Sequence, residues 1–123
     1  MKTSRLEKQS VQTLVSRFQK CALEQDKALL YDETERYNRL YREMDAIKDE
    51  LKSRPGDERA ALLPLLVHPN PQVRYRAGAA TLAVAPREAR AALDGIVAAK
   101  QFPQAGHVGM LLAAIDRGDY PPS

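Results

Sequence analysis

The chain lacks tryptophan, has one cysteine, Cys21, and has only two histidines, His68 and His107. A single cysteine excludes an intrachain disulfide and a thiolate zinc site. It also suits a reducing compartment, so a cytoplasmic protein is expected. Neither histidine has a second histidine or a carboxylate at helical metal spacing, so no metal and no cofactor is expected. Gly-rich phosphate loops, serine elbows and nucleotide fingerprints are missing, which argues against an enzyme. Long apolar runs are missing too. Residues 60–67 fall far short of a bilayer span, so no membrane partner is expected. Residues 1–10 are polar and lack the apolar core of a signal peptide.

No charge of one sign dominates. Lys plus Arg is 19 and Asp plus Glu is 16, a net charge of +3. Residues 1–54 carry 12 basic and 10 acidic side chains, and residues 55–123 carry 7 and 6. Neither half is a basic tail, so nucleic acid is not the expected partner.

What is present is helical periodicity. The 123 residues are 44% hydrophobic and 28% charged, an ordinary globular balance. Val11, Leu14, Phe18, Cys21 and Ala28 fall on a heptad seam, with Gln25 at its vacant place. This predicts a helix over residues 8–30. Asp32 and Glu35 read as an N-terminal cap for a second helix over 33–53. Its seam is Tyr37, Leu40, Met44, Ile47 and Leu51, with Tyr41 on the same face. On its outer side Glu35 and Glu43 stand one turn from Arg39, and Arg42 stands near Asp45. Two long helices and a short connection predict an antiparallel hairpin.

Arg54-Pro55-Gly56 breaks the pattern and sets the expected boundary. Asp57 caps a third helix, residues 58–67, kinked by Pro64. Asn70 and Pro71 start a fourth, to Ala83, with Val73, Ala77, Ala80 and Leu82 inward. Pro86 opens a fifth, to Ala99, with Ala89, Leu93, Ile96 and Val97 as its stripe. A sixth runs over 104–117, with Val108, Leu111, Leu112 and Ile115 inside, and Gly118 stops it. No segment alternates as a strand does.

Short helices separated by proline-containing turns suggest stacked helix pairs. Residues 62–82 resemble a HEAT repeat: a leucine-rich helix, the Pro69-Asn70-Pro71 turn, Val73-Arg74, then an alanine-rich helix. Residues 87–117 look like a second, degenerate pair. Gln72 departs from the HEAT pattern, which commonly has Asp there. The whole chain resembles a bacterial family of small HEAT-like proteins known only as a domain of unknown function. The shared features are Arg39-Leu40-Tyr41, the block from Leu65 to Arg74 and the Ala83-Val84-Ala85-Pro86 step. The resemblance implies an all-α fold: an N-terminal hairpin, residues 1–54, then two HEAT-like pairs, residues 55–123, in an α–α superhelix-like stack forming one compact unit with it. It transfers no catalytic residue.

The remaining side chains divide between core and surface. Cys21 reads as a small core hydrophobe. Glu43, Asp45, Asp49 and Glu50 alternate with Arg42, Lys48 and Lys52, a solvated face. Arg36, Arg39 and Arg42 form a row beside Tyr37 and Tyr41. Arg74, Tyr75 and Arg76 lie on the second helix of the first pair, where the resemblance places a concave face. Arginine and tyrosine are enriched at interface hot spots. The partner-binding candidates are therefore Arg74, Tyr75, Arg76, Arg36 and Arg39.

The expected function is non-enzymatic protein binding with an unidentified partner. Some small HEAT-like proteins are regarded as immunity proteins of bacterial toxin systems, so the resemblance implies a toxin-neutralising or adaptor role. Two alternatives stay open: a homodimer through the hairpin, and a weak nucleic-acid binder.

Overall fold

A computed structural model describes residues 5–123. The chain is all-helical, with no strand among the described residues. Its elements are α1 (Val11–Leu30), α2 (Thr34–Ser53), a 3-10 helix (Glu58–Val67), α3 (Pro71–Thr81), α4 (Pro86–Ala98) and α5 (Gln104–Asp116). They fall into two compact units, one ending at Leu62 and one running from Leu63 to Ser123.

In the first unit α1 begins at Val11, because Ser10 is extended and its Oγ accepts from the Thr13 N–H at 3.1 Å. The buried stripe of α1 is Leu14, Phe18, Cys21, Ala22, Gln25 and Ala28, and that of α2 is Met44, Ile47 and Leu51. The two helices pack on each other. Arg17 donates to Glu43 at 2.9 Å, and Arg36 donates to Glu24 further along α1. Partner numbers fall on α2 as they rise on α1, so the helices run in opposite directions. Gln25, fully buried on the seam, donates from Nε2 to the Tyr37 carbonyl at 3.3 Å.

Three expectations for this unit need correction. Asp32 does not cap α2: Glu33 stands at the N-cap, with no side-chain capping bond. Asp32 instead closes α1 with φ +56, while its N–H donates to the Leu29 carbonyl and the Glu33 N–H to the Ala28 carbonyl. That bond pair is a Schellman ending, with Asp32 in the place glycine usually takes. Tyr41 is 44% exposed, because the helical period turns it to the flank of the stripe. Glu43 turns inward to Arg17 and Asp45 pairs with Lys48 at 3.0 Å, so those acids bond elsewhere than in the expected row.

The Arg54-Pro55-Gly56-Asp57 turn closes with a 2.9 Å bond from the Asp57 N–H to the Arg54 carbonyl. Pro55 at the second place and Gly56 at φ +81 in the third make it a type II turn. Arg54 holds the turn to the first unit, donating to the Leu6 and Gln9 carbonyls at 3.0 and 2.7 Å. Asp57 accepts from the Arg59 N–H, as a cap would, and from the Arg59 guanidinium at 2.9 and 2.7 Å. The helix that follows is 3-10 rather than a kinked α-helix. Pro64 has no N–H to donate, and its ring would meet the carbonyl four residues back.

The second unit stacks α3, α4 and α5. Asn70 Oδ1 accepts from the N–H groups of Gln72 and Val73 at 2.8 and 3.3 Å, with Pro71 at the first helical position. The core is Leu82, Ala89, Leu93, Ile96, Ala105, Val108 and Leu112, with Tyr75, Leu111 and Ile115 packed against it. Val97, expected in that stripe, is 38% exposed. Gly78 lets α3 approach α4 closely, since a Cβ there would lie 2.8 Å from Leu93 Cδ2. The α3 helix stops at Thr81 rather than Ala83, where the Thr81 carbonyl takes the N–H groups of Val84 and Ala85. Gly118, at φ +81, ends α5 as expected.

Candidate functional site

In α3, Arg74 is held in place by three acceptors. Its Nε donates to the His68 carbonyl at 2.7 Å, and its terminal nitrogens reach Gln101 Oε1 at 2.9 Å and the Pro69 carbonyl at 3.3 Å. This side chain ties the loop before α3 to the loop before α5. His68 supports the same corner, its Nδ1 accepting from the Asn70 N–H at 3.0 Å.

Tyr75 and Arg76 come next on α3. Tyr75 lays one part of its ring on the core and presents another to its neighbours. The Arg76 guanidinium carbon lies 4.6 Å from the centre of that ring. From α5, the His107 ring meets Tyr75 at 6.1 Å, tilted by 42°. A cation over an aromatic face is held by the ring's quadrupole, which fixes a flexible arginine in one place. Met110, one turn beyond His107, is 74% exposed. The structure thus brings Tyr75 and Arg76 together with His107, which the sequence does not single out for binding.

Beneath this surface Gln104 Nε2 donates to Gln72 Oε1 at 2.9 Å, and both side chains are buried. Sequence reasoning misses this bond. Its one sequence signal is Gln72, the amide that stands where a charged residue is common in the repeat pattern.

The other two binding candidates lie on α2. Arg36 is engaged by Glu24 and by Glu33 Oε1 at 3.2 Å, so it joins α1 to α2. Arg39 is exposed. Near Arg36, a cleft of about 280 Å³ is lined by Arg17, Lys20, Cys21, Glu24, Leu40 and Glu43. Burial, and then the charge and hydrogen bond of Glu43, push the Cys21 thiol up to about 12. A thiol held that firmly in its protonated form is a poor nucleophile. Among the described residues, no three His, Cys, Asp or Glu side chains gather as a metal site. No helix among them is long and apolar enough to cross a membrane.

The family model for a domain of unknown function, DUF2019, matches residues 12–116. The chain is similar to a solved crystal structure, the protein RPA1889 from Rhodopseudomonas palustris CGA009, at 50% identity and a TM-score of 0.93. That similarity covers 96% of this chain and 98% of the other. No curated protein matches the chain. A match over this much of its length places the chain in a family: it belongs to the DUF2019 domain of unknown function.

Proposed function

We propose that the chain is a protein-binding module of the bacterial cytoplasm, with no catalytic role, and that α3 and α5 present its binding face. On this reading α1 and α2 form a helical hairpin. The 3-10 helix with α3, and α4 with α5, form two HEAT-like pairs. The observation that carries the reading is the Arg76–Tyr75–His107 stack, which joins the second helices of both pairs at the surface. Arginine and tyrosine fixed in one conformation lose little freedom on binding and are the residue types that dominate hot spots. Neutralisation of a toxin and an adaptor role are the two concrete forms of such binding.

Co-purification tests this. The tagged chain is recovered from the bacterium that encodes it, with nuclease treatment, alongside an Arg76→Glu, His107→Ala variant. One stoichiometric protein with the wild type, lost with a variant of unchanged thermal melt, is the expected result. Recovery of a second copy alone returns the homodimer reading and contradicts the present one.

A further inference from the structure

The seam between α1 and α2 has a gap. Leu40 holds a seam position on α2, yet it is half-buried, whereas Met44, Ile47 and Leu51 of the same seam are buried. The Arg17–Glu43 and Glu24–Arg36 pairs set the register of the two helices. That register brings Lys20 and Cys21 of α1 level with Arg39 and Leu40 of α2. Cys21 is smaller than Leu14 and Phe18, which share its buried stripe. The cleft of about 280 Å³ opens at this level, with Cys21 and Leu40 both in its lining. Its volume lies at the small end of ligand clefts, which run from about 300 to about 1,000 Å³.

The charged lining residues are Arg17, Lys20, Glu24 and Glu43. Both acids are occupied. Glu43 accepts from Arg17 at 2.9 Å, and Glu24 accepts from Arg36 and from Lys27, the latter at 3.3 Å. Lys20 differs: it is exposed, and no ion pair or hydrogen bond engages its ammonium among the described residues. Arg39, one turn beyond Arg36 on the same flank of α2, is likewise exposed and has no ion pair among them. Glu35, one turn before Arg39, is not paired with it. The charge left over at the cleft is therefore positive, beside a leucine and a protonated thiol. A cationic ligand would find both acids already bonded. An inorganic anion would leave the Leu40 side chain uncovered. We propose that this cleft binds a small organic carboxylate, with its charge at Lys20 and its apolar part against Leu40 and Cys21. The site uses other residues than the α3/α5 face and does not depend on it.

The test titrates the isotope-labelled full chain with hexanoate, hexanamide and inorganic phosphate, following backbone amide shifts. Hexanoate is expected to shift Lys20, Cys21 and Leu40 saturably. Its affinity should fall about fivefold in Lys20→Gln, the upper scale of an exposed ion pair. Cys21→Leu fills the gap and should abolish the shift at Leu40, with a thermal melt to show that the variant is folded. Equal affinity for hexanamide overturns the proposal, because the charge at Lys20 then plays no part. Shifts from phosphate equal to those from hexanoate overturn it too, because the apolar wall then plays none. Shifts confined to other residues, or none from any probe, also overturn it. Unchanged hexanoate affinity in Lys20→Gln contradicts the placement of the carboxylate even if Cys21→Leu fails to fold.

Discussion

Gln104 donates its amide N–H to the amide oxygen of Gln72 at 2.9 Å, inside the second unit. The bond joins the first turn of α5 to the first turn of α3, below the Tyr75–His107 contact. Changing Gln104 to leucine removes a partner from a buried amide, which costs about 1–3 kcal/mol. Urea unfolding of Gln104→Leu should show a loss in that range. Changing both glutamines to leucine should recover part of it, because no amide is then left buried without this bond. A double variant as unstable as the sum of the single ones would show that the two amides do not act as a pair.

Two glycines predict opposite signs. A Cβ at Gly78 would lie 2.8 and 2.9 Å from Cδ2 and Cγ of Leu93, which is fully buried and cannot easily give way. A Cβ at Gly95 meets nothing within 4 Å. Alanine improves a helix over glycine by about 1 kcal/mol. Gly95→Ala should therefore raise the melting temperature. Gly78→Ala should lower it, since overpacking costs about 1–3 kcal/mol. A rise in both would show that Leu93 repacks freely.

Lys100 follows α4 with φ +55, and the Gln101 N–H donates to the Ile96 carbonyl. This is the same Schellman ending as at Asp32 and Gly118. A side chain at left-handed φ costs about 1–2 kcal/mol, and glycine gives back about 0.4–1 kcal/mol through a freer unfolded chain. Lys100→Gly should be stabilising by about 0.5–1 kcal/mol in denaturant unfolding. A destabilised variant would contradict this assignment.

Much of the fold is legible because local chemistry and tertiary demand coincide. Asn70-Pro71, Pro86 and Gly118 punctuate the chain where their backbone preferences require, and the 3–4 spacing marks Leu14, Phe18, Met44 and Ile47 as core. Legibility fails where one residue has two competing uses. Asp32 suits either the end of α1 or the start of α2, and only the Glu33-to-Ala28 bond shows which use prevails. Residues 58–67 read as an α-helix by composition, while Pro64 removes the donor that an α-helix needs. At the candidate site, Tyr75 and Arg76 are readable as types found at interfaces. Their joining to His107 depends on packing between α3 and α5, which no local pattern encodes.

Acid should weaken the protein through its ion-paired aspartates. The hydrogen bond from Arg59 holds Asp57 below its ordinary 3.8, and the one from Arg90 does the same for Asp116. A depressed folded pKa means stability that is complete above the unfolded value and lost as pH falls through the folded one. Thermal melts should therefore decline below about pH 4. Asp57→Asn should reduce that decline, while an unchanged acid slope would remove this pair from the explanation.

Cys21 should resist a thiol-specific disulfide reagent at about pH 8 in the native state and react fully once unfolded, because its thiol is pushed up to about 12. Rapid modification of the native protein would place the thiol in a more open setting.

The most direct measurement is calorimetric titration of the co-purified partner into the wild-type chain and into Arg76→Glu, with melts of both. If the α3/α5 face is the binding surface, affinity falls at least about tenfold while the melting temperature stays the same. Equal affinity for the two proteins would contradict it and place the partner on another surface.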